Sequence, residues 1–298
     1  MKTKYYLITI TCLLFACKND VAMDKTDISY LEKEFQKTKA DSTFNQLIQA
    51  YGTAVRESED NSKKEAFLIK AIDLCTAPEK IYLKEVLSTE LLKVNPQHTK
   101  AADYLYSLAE GMEYKNKAEA ASMLYNGFCK RFPNDSRSKD ALKKIDAAQT
   151  NSAVYFKKLM SDILTNPGKE GINEENALKF IDLSESFALA FPEEKMAPVY
   201  LFQAADISRA LGSIPKVISL YDWIYLYYPE FSKASLALFL KGYTLDAELK
   251  KYDEAKVIYE NFLIKYPQDS LSKDVKFLLA NIGKSDDALF KEMEMEKK

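Results

Sequence analysis

The sequence predicts an all-α fold in which antiparallel helical hairpins stack into a solenoid. Prolines recur at a nearly constant interval, the residues around each proline repeat, and helix-forming residues dominate the composition. The intervals are 37, 59, 37 and 38 residues, between the dipeptides Asn95-Pro96, Phe132-Pro133, Phe191-Pro192, Tyr228-Pro229 and Tyr266-Pro267. Such a period is typical of repeats that bury their apolar faces only against stacked neighbours.

The residues after each proline predict the first helix of a repeat. In four copies the third residue after the proline is a short polar one, suited to accept a bond from a free helix amide: Thr99, Ser136, Ser232 and Ser270. In four copies the thirteenth residue is small, which would let a second helix approach closely: Ala109, Ala205, Gly242 and Ala280. Asp146 breaks this column in the Pro133 copy.

The residues before three of the prolines predict the second helix. Positions twelve and eight before the proline carry a slim residue and a tyrosine, namely Ala121 with Tyr125, Val217 with Tyr221, and Ala255 with Tyr259. Residues four apart share one face of a helix. We therefore expect these pairs to pack against the first helix.

These columns resemble the tetratricopeptide repeat family over 96–133 and 192–283, with one extra residue in the turn at Lys250-Lys251. The resemblance implies a right-handed α-solenoid. The period is longer than is usual in that family by three or four residues, placed just after the proline. This is similar to the variant in bacterial envelope members, including the lipoprotein of the outer-membrane β-barrel assembly machinery and a family that helps organise periplasmic cell-wall work.

The helices follow in order along the chain. We expect single helices at 42–58, 61–76 and 79–94, pairs at 99–115 with 117–131, 195–211 with 214–228 and 232–249 with 252–266, and a capping helix at 271–283. Between Pro133 and Pro192 the repeats lose register, and 137–165 predicts one long helix or a kinked pair.

The sequence divides into six predicted parts. They are a signal peptide at 1–16, an acylated cysteine and tether at 17–40 with a short helix near 30–35, an N-terminal helical-repeat part at 41–165, a joint at 166–172, C-terminal repeats at 173–285 and a charged tail at 286–298. The joint is expected at Asn166-Pro167-Gly168, which begins the glycine-rich loop of the chain.

The N-terminus predicts export. Lys2 and Lys4 precede an apolar run at 5–16 that suits a signal-peptide core and is too short to span a bilayer. The run ends in Leu14-Phe15-Ala16-Cys17, which resembles the lipobox of bacterial lipoproteins. The resemblance implies cleavage before Cys17 and its acylation, with palmitate among the acyl chains. The alternative is an ordinary secretory signal with a chance cysteine.

Lys18 follows the cysteine, and resemblance to other lipoproteins then implies the outer membrane. Both the periplasmic face and the cell surface are compatible with this signal. Two or more acyl chains hold a protein on a membrane where one would not. We therefore expect a protein anchored to the envelope membrane by lipid.

The tenth residue after the proline is aromatic in four copies: Tyr106, Phe202, Phe239 and Phe277. One turn onward lie Glu110, Asp206 and Tyr243. The aromatic residues either form a ladder in a concave groove that grips a partner helix or peptide, or they belong to the core. If the aromatic residues line a groove, Glu110, Asp206 and Tyr243 would orient the bound partner.

Composition and motifs exclude several classes of function. A net charge of −2 gives no electrostatic footprint for nucleic acid. No catalytic, metal or cofactor motif occurs, so we expect no enzyme, no cofactor and no metal site. The single histidine, His98, is expected in a solvated loop. Cys75 and Cys129 are expected as buried thiols, with a disulfide between them as the alternative.

Three functions fit this sequence. The first is an outer-membrane lipoprotein that binds other envelope proteins or peptides in its groove as a scaffold. The second is a surface-displayed lipoprotein that binds glycan or peptide nutrients. The third is an enzyme with a helical-repeat body, for which the chain offers no familiar constellation.

Overall fold

The computed structural model describes residues 26–165 and 171–284, and within them it contains only helices, turns and bends. The α-helices are α1 (Thr26–Thr38), α2 (Asp41–Glu57), α3 (Asn61–Leu74), α4 (Ile81–Val94), α5 (Ala101–Tyr114), α6 (Ala118–Arg131), α7 (Ser138–Leu142), α8 (Ser152–Thr165), α9 (Glu174–Ala190), α10 (Ala197–Ala210), α11 (Ile214–Tyr227), α12 (Ala234–Tyr243), α13 (Tyr252–Lys265) and α14 (Ser272–Ala280). Short 3-10 turns lie at Pro78–Lys80 and Ala147–Thr150. The predicted all-α class, a solenoid of tetratricopeptide-like hairpins, is confirmed.

The helices belong to two compact units. Unit 1 consists of the described residues up to Tyr155 together with Leu189–Pro192, and unit 2 consists of Phe156–Ala188 and the described residues from Glu193 onward. In unit 1 each helix from α1 to α7 packs against the next, and in unit 2 the same holds from α10 to α14. Most of the predicted joint, at 166–170, lies outside the described residues. The predicted signal peptide, Cys17 and the charged tail lie outside the described residues.

The packing columns lie inside the hairpins, as the sequence predicts. Ala109, Ala205 and Gly242 on the first helices are buried, and so are Tyr125, Tyr221 and Tyr259 on the second helices. A Cβ atom on Gly242 would lie 2.7 Å from Cε1 of Tyr259, so the two helices touch where the residue is small. Ala280 is exposed, because no second helix follows α14 within the described part of the chain.

The longer loop after each proline is an ordered turn. The amide before the proline donates to the carbonyl four residues earlier, as from Phe132 to Phe128 and from Tyr266 to Phe262, both at 2.8 Å. In all five copies the backbone amide of the fifth residue after the proline then donates to the backbone carbonyl of the second residue after it, at 2.8–3.0 Å. This fifth residue is small and buried in every copy: Ala101, Ser138, Ala197, Ala234 and Ser272. The extra residues therefore form a repeated connection between helices.

The expected caps were placed one position too late. Thr99, Ser136, Ser232 and Ser270 are exposed, and the helices that follow them have no side-chain cap. In three copies the side chain two residues after the proline accepts the amide two residues further on. The acceptors are His98 Nδ1 at 3.1 Å, Asp135 Oδ1 at 2.9 Å and Asp269 Oδ1 at 2.9 Å. These bonds stabilise the turn before the helix begins.

The expectation of a long or kinked helix at 137–165 is wrong. α7 ends at Leu142 after one turn, a 3-10 turn follows at Ala147–Thr150, and α8 starts only at Ser152. At Asp146, four residues after the end of α7, the carboxylate accepts the Ala148 amide at 2.8 Å and the backbone amide donates to the Ser122 hydroxyl at 2.8 Å. Both bonds favour a non-helical backbone at Asp146.

The extra residue of the Pro229 repeat lies in the helix and not in the turn at Lys250-Lys251. α12 continues as a π-helical turn over Thr244–Glu248, which accommodates one residue more than an α-helix would. Lys250 then adopts the left-handed conformation with φ 55°, as Asn116 does at 58° and Gly212 at 70° in the other two hairpins. The turn between the helices is thus the same in all three repeats.

Candidate functional site

The aromatic column runs from buried to exposed. Phe202 is 7% exposed, Tyr106 and Phe239 are half-buried, and Phe277 is 49% exposed. Neither of the two expected arrangements describes all four residues, since one ring is buried, two are partly covered and the last is open. The exposure depends on what the second helix and the following repeat place over each ring.

Tyr106 on α5 is covered from two sides. Its ring meets Tyr125 and Phe128 of α6 edge-on, with centroid distances of 5.5 and 5.1 Å. The guanidinium of Arg137, which is the fourth residue after Pro133, lies 5.0 Å from the ring centroid. The second helix and the following repeat therefore share the surface of this ring.

Phe202 on α10 is covered in the same way. Its ring lies 5.9 Å from Tyr221 of α11 and 6.5 Å from Phe231 in the next turn. The ammonium of Lys233, the fourth residue after Pro229, lies 4.6 Å above the ring. A basic side chain at one fixed position thus covers the preceding aromatic residue in both units.

The last two rings differ because the following repeat offers no cation. Phe239 packs against the cluster of Leu238, Tyr259 and Phe262, to which the next repeat contributes Leu271 at the fourth position. Phe277 belongs to α14, after which the described residues contain no further repeat, and its ring is half open to solvent.

The polar column one turn onward is accessible. Glu110 and Asp206 are exposed, and Tyr243 is 43% exposed with its ring stacked on Phe239 at 6.3 Å. Partial burial raises the pKa of the Asp206 carboxyl, while the charges of Lys233 and Arg209 lower it. The same position on α5, α10 and α12 therefore presents a hydrogen-bonding side chain to solvent. Its role in partner binding stays a prediction.

A third column was missed by the sequence reasoning. The hydroxyl of each buried tyrosine on a second helix meets a charged residue seventeen positions after the preceding proline. Tyr125 donates to Glu113 at 2.8 Å and Tyr259 donates to Asp246 at 3.3 Å. Burial raises the pKa of the Tyr221 phenol, and the nearby Arg209 guanidinium opposes that rise. A charged residue at that spacing in each of these three hairpins was the signal that could have found it.

The pKa values of the two acidic residues shift in different directions, although the tyrosine hydroxyl lowers the pKa in both cases. The Lys144 ammonium, 2.7 Å away, lowers the pKa of Glu113, against a smaller effect of burial. Burial raises the pKa of Asp246. Because the hydroxyl bonds of Tyr125 and Tyr259 satisfy a buried phenol, they fix the position of the tyrosine that fills the space beside the small residue.

Residues 236–269 match the family model of the tetratricopeptide repeat. The matched span covers most of α12, all of α13 and the turn after Pro267, so its limits agree with the hairpin observed there. The match supports a tetratricopeptide-repeat protein. No match was found among curated proteins or among solved structures.

Tetratricopeptide repeats commonly mediate protein–protein interaction, and proteins built from them are generally non-catalytic scaffolds. Over residues 26–165 and 171–284, no helix has the length and apolarity needed to cross a membrane. The same ranges contain no group of three or more histidine, cysteine, aspartate or glutamate residues placed to hold a metal ion.

His98 and the two cysteines all lie in unit 1. The expectation that His98 is solvated is wrong, because its side chain is 9% exposed and its ring stacks on Tyr104 at 5.9 Å. Cys75 and Cys129 are free thiols, buried and half-buried respectively. Burial raises the pKa of both thiols, so both are held in the protonated form.

Proposed function

We propose that this chain is an outer-membrane lipoprotein of a bacterial envelope that binds other envelope proteins or peptides along its first helices, without catalysis. The observation that carries the proposal is the repeated exposure of Glu110, Asp206 and Tyr243 at one position of three first helices. Each lies one turn after an aromatic residue, so each helix offers a polar group beside an apolar surface. That combination suits a partner helix or extended peptide.

The second helices are less suited to this role. Their tyrosines are buried and their hydroxyls are used within the hairpin. Since the first helices carry the repeated exposed column, the binding residues are Tyr106, Phe239 and Phe277 as apolar surface, with Glu110, Asp206 and Tyr243 for orientation. Phe202 is buried and supports its helix from within. Rings that are partly covered contribute an edge, and Phe277 contributes a face.

The anchor is proposed at Cys17. A charged start, an apolar run and the Leu14-Phe15-Ala16-Cys17 motif support it, and each buried acyl methylene contributes about 0.8 kcal/mol to membrane binding. The length of the loop after each proline supports a likeness to the envelope lipoprotein that takes part in β-barrel assembly. Fold-level likeness alone does not identify a partner.

Site-specific crosslinking tests the binding face. A photoreactive phenylalanine at Tyr243 on α12 is compared with one at Ile264 on α13, which is 76% exposed and serves as the matched control. In intact cells we expect discrete adducts with one or a few envelope proteins at Tyr243 and none at Ile264. Equal labelling at both positions would contradict the proposal, and retention of soluble oligosaccharide in place of protein would favour a nutrient-binding lipoprotein.

The anchor is tested separately with Cys17→Ser. We expect the parent chain in the outer-membrane fraction with incorporated fatty-acid label, and the variant released into the soluble fraction without label. Release of an unlabelled parent chain would mean that the segment is an ordinary secretory signal. Protease treatment of intact cells distinguishes the periplasmic face from the surface.

A further inference from the structure

Unit 1 shows how the first helix of a repeat binds a guanidinium group. Asp103 and Tyr106 lie three residues apart on α5, at the seventh and tenth positions after Pro96. Nη2 of Arg137 lies 2.9 Å from Oδ1 of Asp103, and the same guanidinium lies 5.0 Å from the centroid of the Tyr106 ring. Asp103 and the Tyr106 ring, spaced by three residues, thus contact one arginine, which Asp135 of its own turn also binds at 2.7 and 2.8 Å.

The same pair recurs on α14. Asp274 and Phe277 occupy the seventh and tenth positions after Pro267, and both are exposed, with 49% of Phe277 accessible. Residues three apart lie on one face of a helix. Among residues 26–165 and 171–284, no basic side chain forms an ion pair with Asp274 or lies over the Phe277 ring.

The other repeats do not offer this site. The seventh position is Val199 in the Pro192 repeat and Leu236 in the Pro229 repeat, and neither side chain can pair with a cation. In the Pro133 repeat Asp140 forms an ion pair with Lys143 of its own helix at 2.7 Å. An aspartate with a free aromatic neighbour is therefore specific to α14 among the five copies.

We propose that Asp274 and Phe277 form a docking site for an arginine side chain of the partner peptide. The proposal rests on the proposed function, because it names the chemistry of a partner that approaches the first helices. In the Pro96 repeat the next repeat supplies the arginine, and at α14 the partner supplies it. Arginine suits the site better than lysine, since its planar group can bind a carboxylate and stack on a ring at once.

Nuclear magnetic resonance titration of the full chain carrying Cys17→Ser tests the site. The probe is the peptide acetyl-Gly-Arg-Gly-amide, and its control is the same peptide with citrulline, which keeps the shape and loses the charge. We expect saturable shifts in the backbone amide signals of 272–280 with the arginine peptide, in the millimolar range typical of one side chain, and none with citrulline. Equal shifts with both peptides would overturn the proposal.

Two variants of the site and one control sharpen the test. Asp274→Asn and Phe277→Leu are each expected to weaken binding of the arginine peptide about tenfold, the equivalent of one charge-assisted contact. Arg137→Gln, which vacates the template on α5, is expected to add a second set of shifts at 101–114 and to leave those of α14 unchanged. Binding at α14 that is unaffected by both site variants would refute the inference.

The remaining outcomes separate this inference from the proposed function. If replacing Lys291, Lys297 and Lys298 with glutamine is required before the peptide binds, the site belongs to the chain's own C-terminal segment and the inference is wrong. If crosslinks at Tyr243 persist in the Asp274→Asn and Phe277→Leu variants while the peptide never binds, the proposed function stands and the inference fails. Peptide binding without any crosslink would support the site and contradict the envelope partner.

Discussion

The Pro96 and Pro133 repeats begin alike and then diverge within one turn. After both prolines the same backbone hydrogen bonds form the connecting turn, and a helix begins five residues later. α5 then runs for 14 residues, whereas α7 stops after 5. At the tenth and thirteenth positions α5 carries Tyr106 and Ala109, and the Pro133 repeat carries Lys143 and Asp146.

The comparison separates what starts a helix from what extends it. The turn after the proline fixes where the helix begins, because its backbone bonds are made in both repeats. Helices of this length are marginal by themselves and take most of their stability from packing an apolar face. With a lysine and an aspartate where the second helix should pack, the apolar face is lost. The chain then forms other hydrogen bonds at Asp146.

The largest effect is expected when the Pro96 repeat is made to resemble the Pro133 repeat. Ala109→Asp places a carboxylate at a fully buried position of α5, against the second helix. A buried charge without a partner costs about 3–5 kcal/mol, so we expect the free energy of unfolding to fall by that amount. Urea denaturation followed by circular dichroism measures it.

Ala280→Asp is the matched control for that change, because Ala280 belongs to the same column and is exposed. We expect a change within about 0.5 kcal/mol for this variant. Similar losses for Ala109→Asp and Ala280→Asp would show that the column does not set the length of the helices.

An intermediate effect is expected from one added methyl group at Gly242. Its Cβ would lie 2.7 and 2.9 Å from two ring atoms of Tyr259, which is itself fully buried and has no room to move. Overpacking of this kind costs about 1–3 kcal/mol, so Gly242→Ala should lower the urea midpoint.

Gly111→Ala provides the contrast within another first helix. There the new Cβ would meet Oε1 of Glu85, the end of a flexible side chain that can turn aside. Because alanine favours a helix over glycine by about 0.5–1 kcal/mol, this variant should be neutral or slightly more stable. A loss at Gly111 equal to that at Gly242 would contradict the role of the tyrosine.

The sequence predicts most of the fold because small residues, tyrosines and prolines each have one packing role per repeat. Ala109, Tyr125 and Pro133 recur in register, so the hairpins and their buried columns follow from spacing alone. The ends of the helices are harder to predict from the sequence. Asp135 and Asp269 stand next to the serines that were expected to cap, and only the path of the backbone shows which of the two residues accepts the amide.

The candidate site was harder to predict for a physical reason. The exposure of Phe202 and Phe277 depends on residues of the following repeat, and the fourth position there holds Arg137, Lys233 or Leu271. A single-repeat pattern does not contain that information. The π-helical turn at Thr244–Glu248 could not be predicted either. An added residue fits in a loop or in a helix, and the sequence pattern does not distinguish these two places.

The smallest effect concerns the acidic residues of two equivalent turns. Asp135 accepts the Arg137 amide at 2.9 Å and the Arg137 guanidinium at 2.8 and 2.7 Å, and these bonds lower the pKa of its carboxyl to about 2. Asp269 has no arginine beside it, and the Leu271 amide is the largest influence that lowers its pKa. Both groups ionise more easily in the folded chain than at the usual pKa of about 4.

A lowered folded pKa gives stability that is present above about pH 4 and is lost as the pH falls toward the folded pKa. For Asp135 the loss continues to about pH 2. We expect Asp135→Asn, which keeps an oxygen for the amide but removes the charge, to flatten the decrease of stability over this interval more than Asp269→Asn does. Urea midpoints measured at several pH values between about 2 and 7 test this difference. If the stability of the two variants depends on pH in the same way, the Arg137 guanidinium does not make the turn at Asp135 more sensitive to acid than the turn at Asp269.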